Sequence, residues 1–272
     1  MQRAGTEYRH EAIVLRTWPI READQIVSLF TCEAGKIKGV AKSASKSRRR
    51  FGGALEPMTH VLANYATRPL QELVRLDSLE ILHSPLAEPV DYARAAALAF
   101  YTEVLDEMLP DGAAQDEGQD ATFRLILHVL EQTRVGCVWM PVTYFALWMV
   151  RLMGWMPDLR RCTVCQRSFA PGEPVYWLPQ SDGLLCADHR KLGANWGANL
   201  GANWGANLGA LKLSPASRDL AEQLFHAPAE RFSGEPWPRS RATDLRRFAM
   251  QALERHGEQR LQSVGALMRL GG

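Results

Sequence analysis

Between Glu11 and Leu82 the chain repeats one texture, short β-prone runs broken by turn residues, and after Pro89 it changes to helix-forming sequence. A chain divided in this way implies an α+β fold. The β-prone runs fall at 12–18, 25–31, 36–42, 58–65 and 72–82, with Gly35, Gly39, Gly52, Gly53 and Pro57 between them. Five strands of this length predict a small antiparallel barrel of the oligonucleotide-binding (OB) type over residues 1–83.

Beyond Pro89, apolar residues recur at spacings of three and four, at Leu98, Tyr101, Leu105 and Leu109, then at Phe123, Ile126, Leu127 and Leu130. That period predicts two amphipathic helices, joined by an exposed acidic connector over 111–120. A third helix over Trp139 to Gly154 is apolar almost all round, so its methionines and aromatics belong to a core rather than to a ligand pocket. His128 reads as a surface or packed histidine. Further helices are expected near 214–226, 240–256 and 258–269, the first capped by Ser214 with Pro215 at its first position. The helical domain then comprises residues 84–157 and 211–272.

Cysteines stand at 32, 137, 162, 165 and 186, an odd number in a chain with no secretory signal and no run of about 18 apolar residues. Disulfides are disfavoured, metal binding is the better default, and a soluble cytoplasmic protein is expected. Cys162-Thr-Val-Cys165 and Cys186-Ala-Asp-His189 are two ligand pairs of the kind that short turns present to one tetrahedral ion. The segment between them suggests a hairpin about Asp182-Gly183 that returns the second pair to the first. One structural Zn2+ in a zinc-finger element at 158–192 is the expectation. His189 is the least certain ligand, since Asp188-His189-Arg190 also suits a solvated loop. Cys32 and Cys137 lack such partners and read as small buried hydrophobes.

A catalytic zinc would keep an open coordination position beside a base, and deaminase chemistry would want His-x-Glu before Pro-Cys-x-x-Cys. Neither pattern occurs, so no catalytic residue is assigned and the protein is not expected to be an enzyme. Residues 193–210 read GANWGANLGANWGANLGA, a tandem duplication that suits an exposed loop. A stacking platform made of its Trp196 and Trp204 is the functional alternative.

The net charge of +2 predicts no partner by itself. Its distribution is more informative, because Lys36, Lys38, Lys42, Lys46, Arg48, Arg49 and Arg50 form a segment without an acidic residue. Such a run leaving a barrel strand is an electrostatic footprint for phosphates, and its second half looks flexible. Phe51, directly after it, is placed to stack on an exposed base. Arg246 and Arg247, within a C-terminal arginine cluster, either extend that face or are ordinary helix-surface charges.

Several elements together carry a family resemblance. They are Glu11-Ala-Ile-Val-Leu-Arg16, Glu22-Ala-Asp24, Leu29-Phe-Thr31, Gly35-Lys36, Phe51-Gly-Gly53, the cluster at 162–189, and Leu245-Arg-Arg-Phe through Arg260-Leu-Gln-Ser. In this order they resemble the RecO family of bacterial recombination mediator proteins. The resemblance implies an OB barrel, a helical domain and an inserted zinc finger. It also implies binding of single- and double-stranded DNA, annealing of complementary strands, association with RecR, and loading of RecA onto DNA coated by single-stranded-DNA-binding protein. The DNA role then falls on Lys36, Lys38, Lys42, Lys46 and Arg48 to Arg50, and the zinc role on Cys162, Cys165, Cys186 and His189. Family members with a zinc site often carry four cysteines, so His189 is a departure, and the Gly-Ala-Asn repeat is another. The rival readings are a zinc-ribbon transcription regulator and a metal-dependent nuclease or deaminase.

Overall fold

The computed structural model describes residues 6–69, 71–112, 117–134, 137–178, 183–190 and 210–270. Residues 193–209 of the Gly-Ala-Asn repeat, Asp182 and residues 113–116 of the expected acidic connector lie outside the described residues. By backbone proximity the chain divides into two units, residues 1–138 with 261–272, and residues 139–260.

The first unit begins with five strands, β1 (Thr6–Pro19), β2 (Gln25–Thr31), β3 (Gly35–Ala41), β4 (His60–Thr67) and β5 (Val74–His83). They close in the order β1-β2-β3-β5-β4, antiparallel except for the parallel β3–β5 pair that seals the barrel. The five expected runs correspond to these strands. Alternation explains the core, since Ala12, Val14, Val27, Leu29, Ala41, Val61, Ala63, Tyr65 and Leu76 all point inward and pack together. Each large side chain buried there contributes about 1.5–3 kcal/mol.

The basic segment after β3 is more ordered than its composition suggested. Residues 44–46 form a turn of 3-10 helix, and Arg48–Phe51 form a short helix, α1. Phe51 is 1% exposed within the barrel core, where it serves packing and cannot meet a base. The two glycines after it have separate causes. A Cβ on Gly52 would come 2.4 Å from the Arg48 carbonyl oxygen, and Gly53 adopts a left-handed φ of 73°.

Helices α2 (Tyr92–Met108) and α3 (Glu117–Arg134) belong to the same unit as the barrel, and α3 begins inside the expected connector. Asp91 caps α2 by accepting from the Arg94 amide at 2.8 Å. These helices lie against the outer face of the barrel. Ser28 donates to Asp106 at 3.1 Å, Arg16 pairs with Asp106 at 3.2 Å, and Phe30 packs edge-on against Phe123. His128 is exposed on α3, Cys32 is partly exposed, and Cys137 is exposed rather than buried. The last helix of the chain returns to this unit, its backbone amides at Gln262 and Ser263 each donating to Glu103 at 2.8 Å.

The second unit opens with α4 (Trp139–Leu152), which is buried nearly throughout, as its composition required. Three strands follow, β6 (Val175–Leu178), β7 (Gly183–Leu185) and β8 (Leu211–Leu213), paired in the order β7-β6-β8. Sequence placed residue 211 at the start of purely helical structure, whereas β8 is the third strand of this sheet. Next come α5 (Pro215–His226), capped by Ser214 as expected, the short α6 (Glu230–Ser233) and α7 (Thr243–His256). The final helix, α8, spans Gln262–Arg269 in the first unit. Among the described residues no helix is long and apolar enough to cross a membrane.

Asp106 accepts both Ser28 and Arg16 while 9% exposed. Its replacement by alanine orphans a buried hydroxyl and removes a charge partner, an expected loss of about 2 kcal/mol. Urea unfolding of Asp106→Ala against Asp106→Asn reads this. A loss below about 0.5 kcal/mol in the alanine variant, the size of an ordinary surface change, would show that the tie carries no stability.

Candidate metal centre and nucleic-acid interface

The two ligand pairs sit on turns whose hydrogen bonds are set by their own backbone. In the first, the Cys162 amide donates to the Arg167 carbonyl at 2.9 Å and the Gln166 amide to the Cys162 carbonyl at 2.8 Å. Gln166 completes that turn in the left-handed region, at a φ of 59°. In the second, the His189 amide donates to the Cys186 carbonyl at 3.1 Å. Cys186 directly follows β7, and β7 pairs with β6 through Tyr176↔Leu185 and Leu178↔Gly183. The Thr163 amide donates to the Leu184 carbonyl at 2.9 Å, which fastens the first turn to the strand that leads into the second.

The result is that one ligand atom from each of Cys162, Cys165, Cys186 and His189 lies within 4.8 Å of every other. His189 Nδ1 stands 3.2 Å from Cys186 Sγ and 3.6 Å from Cys162 Sγ. Ligand atoms around a tetrahedral ion with bonds of about 2.0–2.3 Å are separated by about 3.5–3.8 Å, so the four groups fit a metal ion. His189 joins the set through its Nδ1 atom.

Electrostatics favour the thiolate at Cys162 and Cys186, whereas the Cys165 thiol and the His189 ring are both held toward their protonated forms. Burial alone would raise the Cys162 thiol, but backbone N–H groups of Cys165, Cys186 and Val164 bring it down to about 6. Cys186 is likewise held below the ordinary thiol range against its burial, by the His189 and Asp188 amides and the His189 ring. His189 is raised, first by Cys186 and then by Cys162. Thiolates are the metal-binding form of cysteine, so these amides prepare the site.

Two neighbours escaped the sequence reading. Arg167 grips Glu173 with two bonds of 2.9 and 2.6 Å and also lies against Cys186. Glu173, pulled down to about 2 chiefly by Arg167, also accepts the Ala170 amide at 2.9 Å. A guanidinium here would offset the excess negative charge of three thiolates if the site held a divalent ion. No spacing rule links Arg167 to Glu173, and only the fold of the 162–173 segment brings them together.

The basic residues separate into two groups. Lys42, Lys46, Arg48 and Arg49 are exposed, and none forms an ion pair among the described residues. Arg50 is partly buried, donating to the Lys42 carbonyl at 2.8 Å and lying over the Phe51 ring. Lys38 is partly exposed and paired with Asp111 at 2.6 Å. Lys36, expected at a DNA surface, is 7% exposed and donates to the Asp106 carbonyl and to Asp111 instead. Arg246, also expected there, is 2% exposed, stacked on Trp139 and donating to Thr143 Oγ1 at 2.9 Å. Its neighbour Arg247 is exposed on α7.

A Cβ at position 183 would lie 1.8 Å from Thr163 Oγ1, so β7 and the first turn approach this closely only over a glycine. Gly183→Ala is expected to push the turns apart and lower metal affinity at least tenfold, read by competition with a chromogenic chelator. Unchanged affinity would mean that this approach does not set the ligand geometry.

Known proteins agree with this architecture. Residues 1–85 match the family model for the N-terminal part of recombination protein O, and residues 89–264 match the model for its C-terminal part. A DNA repair protein RecO of Koribacter versatilis is 51% identical over 260 residues, which is 96% of this chain and 98% of the relative. Proteins of the same name from Syntrophobacter fumaroxidans and Geobacter sulfurreducens are each 32% identical. They align over 66% and 68% of this chain, and over 70% and 74% of their own lengths. With both halves matched in order and one relative aligned almost end to end, the chain belongs to the recombination protein O family.

Proposed function

We propose that this protein is a DNA-binding recombination mediator that acts without a catalytic centre of its own. In this reading it binds single- and double-stranded DNA, anneals complementary strands, and works with RecR to load RecA onto strands coated by single-stranded-DNA-binding protein. The observation that carries the DNA-binding part is the exposed group Lys42, Lys46, Arg48 and Arg49 at one end of the barrel, with no carboxylate paired to it among the described residues. Cations left unpaired in this way gain most from phosphates, because each contact releases condensed counterions. Annealing then needs no bond-making step. It needs a surface that offsets repulsion between two backbones while the bases stay free to pair.

Arg247 is a further candidate phosphate contact on exposed helix surface. Lys36 and Arg246 are better understood as struts, and Lys38 as a partly neutralised neighbour of the basic group. Changing Lys42, Lys46, Arg48 and Arg49 together to alanine is expected to weaken binding of an oligo-dT strand and reduce the log–log salt slope by about three. Arg50 is left in place because it also braces the Lys42 carbonyl. Equal affinity and slope in wild type and variant would remove the basic segment from the interface.

The Cys162, Cys165, Cys186 and His189 site is proposed to hold one zinc ion in a structural role. Four soft ligands in a tetrahedral set suit zinc, and they close the shell against substrate. When bound, the ion would hold the two turns together at the edge of the buried cluster formed by Tyr176, Leu178 and Leu185. One equivalent of zinc by elemental analysis is expected, and Cys186→Ser should lose the metal and unfold at lower temperature. A metal-free preparation of equal thermal stability would overturn the structural role, and His189→Cys with retained zinc would confirm that position as a ligand site.

A further inference from the structure

Resting on the DNA-binding reading above, we infer that the uncovered part of the barrel's outer face, the cross-strand row Trp18–Ile26–Val40, is a base-contacting strip for single-stranded DNA, with Trp18 as its stacking platform.

Pairing places these residues side by side, since Trp18 is opposite Ile26 and Ile26 is opposite Val40. Their alternation from Val27, Leu29 and Ala41, which point into the core, turns all three outward. Arg16, two residues before Trp18, confirms the direction. It reaches Asp106 on α2 while its guanidinium lies 5.8 Å over the Trp18 ring.

An OB barrel usually takes an oligonucleotide on the outer face of its second and third strands. Here that face is divided. The next rows, Arg16–Ser28–Lys38 and Phe30–Lys36, are closed by Asp106, Asp111 and Phe123, and Ser28 and Phe30 are fully buried. Trp18, Ile26 and Val40 remain partly exposed. With strands about 4.8 Å apart, the row spans roughly 10 Å.

Charge identifies the occupant. The β1–β2 loop is tied to the basic segment, the Ser45 amide donating to the Ala23 carbonyl at 3.2 Å and the Ser43 amide to Asp24 at 2.7 Å. Exposed Arg21 is thereby carried on the same end of the barrel as Lys42 and Lys46. The acidic groups nearby are few. Asp24 is occupied by the Ser43 amide, Asp77 pairs with Arg75 at the far end of the row, and Glu22 is exposed. An apolar strip with a tryptophan, bordered by cations, matches a strand that offers phosphates on one side and unpaired bases on the other. Phe51, the aromatic next to the basic run in sequence, is buried and leaves that role open.

The test is fluorescence anisotropy with two oligonucleotides of equal length, oligo-dT and an abasic strand of the same phosphate count, each titrated with salt. Trp18→Ala is expected to lose about tenfold in affinity for oligo-dT, with an unchanged salt slope and unchanged affinity for the abasic strand. Trp18→Phe should stay within about threefold of wild type. Equal binding of oligo-dT by Trp18→Ala and wild type would overturn the inference, as would an equal loss on both strands, which marks a merely structural tryptophan. Failure of the wild-type protein to bind either strand would instead overturn the DNA-binding reading beneath it.

Discussion

Much of the first unit hangs on the seat that α2 takes on the outside of the barrel, fixed by the nearly buried carboxylate of Asp106. A carboxylate in that position is tolerable only because a hydroxyl and a guanidinium, Ser28 and Arg16, meet it from two different strands. The Lys36 ammonium then donates to the carbonyl of the same residue and to Asp111, so a buried lysine is neutralised by the helix end that covers it. This polar tie commits the helix to one register on the sheet, because a shift of either element would strand a charge. Apolar contact such as Phe30 on Phe123 adds area without specifying position so strictly.

The same seat shapes the barrel's chemistry. By covering part of the face that OB barrels commonly offer to a ligand, α2 and α3 take Lys36 out of solvent and leave Lys42, Lys46, Arg48 and Arg49 exposed at the end where β3 leaves the sheet. That end is ordered, not a floppy basic loop. Phe51 plugs the core, the two glycines after it allow the chain to leave, and Arg50 braces the Lys42 carbonyl. For the proposed DNA contact, order of this kind would lower the entropy lost on binding relative to a flexible basic tail.

In the second unit a different device does the organising. The Cys162–Arg167 and Cys186–His189 turns close on their own backbone hydrogen bonds, and the Thr163 amide joins the first to β7. Amides directed at Cys162 and Cys186 favour thiolate, and the Arg167–Glu173 pair holds a positive charge against Cys186. Nearby, Arg246 is buried between helices, stacked on Trp139 and satisfied by Thr143 and by main-chain carbonyls. Delocalised and planar, a guanidinium can fill such a site where an ammonium would not.

How much of this was legible in residues alone follows from the range of the interactions. Strand alternation from residue 12 to residue 82, the 3.6-residue period of α2 and α3, the Ser214 cap and the Cys-x-x-Cys and Cys-x-x-His pairs are local patterns. Each is read within one or two turns of chain, and each corresponds to an element or cluster found in the fold. Which basic residues stay in water was not local. Lys36 and Lys38 look alike in sequence, as do Arg246 and Arg247, yet burial of the first member of each pair depends on α2 and on Trp139, far along the chain. Phe51 looked like a stacking ring because nothing in its neighbourhood reveals the barrel end that it fills, and β8 has too few residues to announce a strand. Sequence by itself determined the longer elements, the spacing of the four candidate ligands and the family, since short-range sterics and spacing suffice for those. Tertiary structure decided which charges face solvent and which part of the barrel face stays open, because desolvation depends on neighbours that only the closed fold supplies.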